Sequence, residues 1–101
     1  MRRLSKEESR QRWAELRDLW NQYDPIGVMG YPNSPKDEYD SYVGWTMRCL
    51  EQNVSLNDIV DNIEEIVREG MGLSHFDRDE ANLYAQRMID WYRDKWEGTY
   101  V

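Results

Sequence analysis

Apolar side chains recur at helical spacing in four stretches of this chain, and no stretch shows a sustained period of two. In the first, Trp13, Leu16, Trp20 and Tyr23 stand at i, i+3, i+7 and i+10. Ser5, with Glu8 three residues on, has the spacing of a capping box and sets the start of that helix. Asp24-Pro25 ends it, because the residue before a proline disfavours helical backbone. In the second stretch Tyr39, Tyr42, Val43, Thr46 and Leu50 share a face, with Trp45, Met47 and Cys49 on its flanks. So wide an apolar arc predicts a central helix, and Asp37 is placed to open and cap it. Ser55 caps the third, a stripe of Leu56, Ile59, Val60, Ile63 and Val67 that Gly70 stops. Asp77 and Glu80 repeat the cap spacing before the fourth. There Ala81, Tyr84, Ala85, Met88, Tyr92 and Trp96 line one face and Gly98 closes it.

Residues 24–36 hold all three prolines and two of the six glycines, which is loop chemistry. Ile26, Val28, Met29 and Tyr31 are too apolar for a free linker, so this loop is predicted to pack onto the helices. Gly44, inside the second helix, costs about 1 kcal/mol of helix propensity against alanine. A close backbone contact is the expected reason for it. The short connection between the last two helices favours antiparallel neighbours. The prediction is an all-α fold: one domain over 1–101, a small bundle of about four helices with a packed Pro/Gly loop between the first and second.

Composition qualifies that picture. Leu, Ile, Val and Phe make up only 19 of 101 residues, and the net charge is −7, a combination at the edge of the disordered class. Seventeen Trp, Tyr and Met residues fill the gap, and many fall on the helical stripes. Each buried aromatic removes roughly 150–250 Å² from water. The single cysteine, Cys49, cannot form an internal disulfide. The basic start of the chain has no apolar core of a secretory signal, and no apolar run reaches the roughly 18 residues of a membrane span. A cytoplasmic protein without membrane attachment is expected. A pI near 4.6 argues against direct nucleic-acid binding, which needs a basic surface.

The charge is unevenly spread. Residues 1–23 carry six basic and four acidic side chains, whereas residues 37–69 carry nine acidic and two basic ones. On the third helix Asp58, Asp61, Glu64 and Glu65 lie opposite the Ile/Val stripe and are predicted to form a solvent-facing acidic strip. Asp37, Glu38 and Asp40 add a second cluster at the start of the second helix. Such acids serve as the solvated face of an amphipathic helix, or as a field that draws in a basic partner.

Catalytic chemistry finds little support. One His and one Cys cannot build a usual zinc site, and no calcium-loop pattern is present. A carboxylate-bound metal would need Asp24 within reach of Asp37 or Asp40. Nothing local joins His75 to Cys49 with an orienting third group, and Gly27 and Gly30 lack the strand and Lys-Ser/Thr of a phosphate loop.

The segments Asp24-Pro25-Ile26-Gly27-Val28 and Asp37-Glu38-Tyr39-Asp40-Ser41-Tyr42-Val43, with the later Met71-Gly72-Leu73, resemble a family of small bacterial proteins of unassigned function. The resemblance spans roughly residues 13–73 and implies a bacterial, intracellular, mostly helical protein. It implies no catalytic residue. The expectation is therefore a non-enzymatic protein-binding module that needs no cofactor. Its most concrete form is an immunity or inhibitor protein against a basic toxin or nuclease, bound through the acidic residues and Trp45. The alternative is a self-associating scaffold domain with Trp45, Trp91 or Trp96 at a homodimer seam. A carboxylate-metal enzyme comes third.

Overall fold

The capping box at Ser5 is made in full. Ser5 Oγ accepts the Glu8 N–H at 3.1 Å, and Glu8 Oε1 accepts the Ser5 N–H at 3.1 Å. These bonds open α1 (Lys6–Tyr23), which Asp24 closes in the left-handed region at φ 46°. The computed structural model describes residues 2–27 and 37–100. Among them are three further α-helices, α2 (Asp40–Glu51), α3 (Leu56–Glu65) and α4 (Arg78–Lys95), and a π-helical turn, Ile66–Gly70, that continues α3. The fold is the predicted small all-α bundle. α3 packs on α4, and α1 packs on both α2 and α4.

The core sits where the four stripes meet. Leu16, Trp20, Val43, Thr46, Ile59, Val60, Ile63, Val67, Ala81, Ala85 and Met88 are all buried. Trp20 is its aromatic centre, with the rings of Tyr23, Tyr39 and Tyr42 at 5.7–5.8 Å. Its indole N–H donates to Thr46 Oγ1 at 3.0 Å, and that hydroxyl donates to the Tyr42 carbonyl at 2.8 Å. A buried indole therefore keeps a polar partner, as burial requires. Ser55 and Asp77 cap α3 and α4 by accepting the N–H groups of Asp58 and Glu80.

Three expectations are corrected. First, α2 begins at Asp40, and Asp37 does not cap it: residues 37–39 form a turn in which Asp37 offers only its carbonyl to the Asp40 N–H. The cause is Tyr39, fully buried, whose hydroxyl donates to Asp24 Oδ1 at 2.6 Å and accepts from the Ile26 N–H at 3.0 Å. That anchor fixes where the helix starts. Second, Gly44 makes no close backbone contact among the described residues. A Cβ there would meet only the end of Arg48, at an ordinary 3.9 Å. Third, a strand pair exists: β1 (Arg2–Arg3) lies parallel to β2 (Thr99–Tyr100). Two residues are too few for alternation to register in the sequence. Ile26 packs against the core as expected. Val28, Met29 and Tyr31, and the packing predicted for them, lie outside the described residues.

Candidate protein-binding groove

Trp45 stands on the flank of α2's buried arc, so it is only partly buried against the core. Beside it α3 runs into the π-turn, where the Met71 N–H reaches back five residues to the Ile66 carbonyl at 2.9 Å. The widened turn brings Gly70 against α2, and a Cβ there would lie 3.8 Å from the Tyr42 hydroxyl. Between these elements lies an open groove of about 400 Å³, lined by Tyr42, Trp45, Asn62, Glu65, Ile66, Glu69 and Gly70. Its floor is aromatic and aliphatic, and the exposed Glu65 and Glu69 stand at its edge. Turns of this class recur at functional sites, where the extra residue re-aims neighbouring side chains.

The predicted acidic strip divides. Asp61 pairs with Arg78 at 2.8 Å, and Glu64 pairs with Arg68 at 2.9 Å and Arg78 at 3.4 Å. Arg68 is one helical turn from Glu64, and Arg78 opens the helix that packs on α3, so both cations arrive from within the fold. Asp58 and Glu65, with Glu69, form no ion pair among the described residues. The second cluster divides as well. Asp40 gives both oxygens to Arg17, at 2.8 and 2.5 Å, whereas Asp37 and Glu38 are exposed and in no ion pair among the described residues. That hydrogen bonding raises the Arg17 pKa. Of the predicted binding residues, the structure brings Trp45 and Glu65 together in the groove and leaves Asp58 further back along α3.

Trp91 and Trp96 meet at an internal joint. Both indole N–H groups donate to Glu15 Oε1, at 2.9 and 3.0 Å, and Lys95 Nζ reaches Glu15 Oε2 at 2.6 Å. Arg12 is the second group that sequence reasoning missed. Its guanidinium is buried and bonds Glu51 at 3.2 Å and Thr99 Oγ1 at 3.4 Å. Position 12 continues the Leu16–Trp20–Tyr23 face backwards, which was the available signal. No local pattern marks Glu15, because its indole partners lie 76 and 81 positions away.

Asp24 is committed to Tyr39 and to the Gly27 N–H, and Asp40 to Arg17. Among the described residues no three His, Cys, Asp or Glu side chains are grouped to hold a metal ion. Cys49 is buried, and burial raises its thiol pKa, away from the thiolate a nucleophile needs. No helix among the described residues is long and apolar enough to cross a membrane. Compared with known proteins, the chain matches no family model, no curated protein and no solved structure.

Proposed function

We propose that this chain is a non-enzymatic protein-binding module that takes a basic segment of a partner into the groove between α2 and the π-turn. The most specific form of this reading is an immunity or inhibitor protein that neutralises a basic nucleic-acid-handling enzyme. The observation that carries it is the pair Glu65 and Glu69, both outside any ion pair among the described residues, beside the partly buried Trp45. A partner arginine would lay its stem on Trp45 and Tyr42 and its guanidinium against these carboxylates. Stacking on the ring adds about 0.5–2 kcal/mol, depending on how far the cation is desolvated. Asp58 continues the acidic line, one turn before Asn62 and two before Glu65. Such a field speeds encounter with a basic surface and makes binding sensitive to salt.

The test is a calorimetric titration with a tryptophan-free, arginine-rich amphipathic peptide over a range of salt. Wild-type protein should bind, and more weakly as salt rises. Asp58→Lys/Glu65→Lys/Glu69→Lys should lose about tenfold or more in affinity, and its salt dependence should flatten. Equal affinity for both proteins counts against the groove. Asp61 is left out of this variant because a lysine there would face Arg78.

A further inference from the structure

The free flank of α1 carries the charge that complements the groove. Lys6, Arg10 and Arg17 share one side of the helix, with Trp13 beside them, and Arg3 extends the line from β1. Arg3, Lys6 and Arg10 are exposed and form no ion pair among the described residues. Trp13 is half-buried, with the Arg17 guanidinium carbon 4.8 Å above its ring. Two adjoining hollows of about 370 and 360 Å³ follow this stripe and share Ser9 and Arg10.

α2 lies between the two surfaces. Asp40 and Glu51 tie one of its flanks to α1 through Arg17 and Arg12, and Tyr42 and Trp45 on the other flank line the groove. The ridge between them carries Ser41, Gly44 and Arg48, all at least partly exposed. Gly44 weakens the helix, and among the described residues a Cβ there would meet only the end of Arg48, at 3.9 Å. Close approach of a second helix would give it a use.

We propose that two copies of this chain pair about a two-fold axis, each basic α1 stripe lying against the other copy's acidic groove and the two Gly44 positions facing near the axis. Because both surfaces flank one ridge, a single isologous contact joins two stripe–groove pairs at once. The pairing goes beyond the partner-binding reading and stands independently of it. A dimer would cover the groove, so a basic partner would have to displace the second copy, and its apparent affinity would fall as protein concentration rises.

Sedimentation velocity over a concentration series tests this with a groove variant, Glu65→Lys/Glu69→Lys, and a stripe variant, Lys6→Glu/Arg10→Glu. Wild-type protein should dimerise at low salt and dissociate as salt is added. Each variant alone should be monomeric, with its dimer dissociation constant raised about tenfold or more. An equimolar mixture of the two should restore the dimer, because both contacts then join opposite charges. Gly44→Leu is a third variant, at a position where a Cβ meets only the flexible end of Arg48, at 3.9 Å, among the described residues. It should abolish pairing while the circular dichroism of the helices is retained. A wild-type protein monomeric throughout, a mixture that stays monomeric, or a Gly44→Leu protein that still dimerises overturns the proposal. The peptide titration, run dilute enough to keep the protein monomeric, decides the partner reading separately.

Discussion

Glu15 gathers two indoles, an ammonium and an amide on one carboxylate. Burial pushes its pKa up, but the hydrogen bonds from Lys95, Trp91, Trp96 and Gln11 outweigh burial and hold it at about 2, against an ordinary 4.5. A folded-state pKa below the unfolded one stabilises the protein above about pH 4.5, and that stability is lost as pH falls toward about 2. Glu15→Gln should therefore cost about 1–2 kcal/mol at pH 7, allowing for the partial exposure of the site. It should also flatten the acid limb of the stability curve, and urea denaturation across pH 2–7 would show an unaltered limb if the joint were unimportant. Gly44→Ala works in the opposite direction. With the new methyl group at an ordinary 3.9 Å from the end of Arg48, it should raise stability by about 0.5–1 kcal/mol in thermal melts run dilute enough to keep the protein monomeric. At this scale the sequence was partly legible. Gly44 stands out as an anomaly, but the expected close contact is absent among the described residues. Glu15 gave no sign, because hydrogen bonds across two helices leave no periodic trace.

Helix starts were legible where the capping is local. Ser5, Ser55 and Asp77 each accept a backbone N–H three residues on, so spacing alone identified them. Ser55→Ala should cost about 1 kcal/mol by urea denaturation, and a loss of only a tenth or two would mean that packing on α4 alone holds the start of α3. α2 was misread for a tertiary reason. The buried hydroxyl of Tyr39 is held by Asp24 and Ile26, which lie 13–15 residues earlier, and this anchor overrides the local preference of Asp37. The π-turn was hidden as well. One residue of extra width does not disturb the Ile63–Val67 spacing, yet it brings Gly70 beside Tyr42 and so shapes the groove.

For the whole molecule, four apolar stripes were enough to give the fold class, since each helix had one face to bury. The site was about half legible. Trp45 and Glu65 were both singled out, whereas Tyr42 had been placed on the buried face and Glu69 falls beyond α3 in the π-turn. The acidic excess changed meaning too. Arg68, Arg78 and Arg17 neutralise three of the predicted acids internally, and what remains toward solvent on α3 and the π-turn is the line Asp58, Glu65, Glu69. The five tryptophans supply the most direct test of the groove, because their indole N–H groups give separate nuclear magnetic resonance signals. Trp20 is bonded to Thr46, and Trp91 and Trp96 to Glu15, so three of these reporters belong to internal joints. When the arginine-rich peptide is added, the Trp45 signal should move to saturation, and move less at high salt, while those three stay in place. A bound peptide that leaves Trp45 unmoved, or that shifts Trp91 and Trp96 most, would contradict the groove as the binding surface.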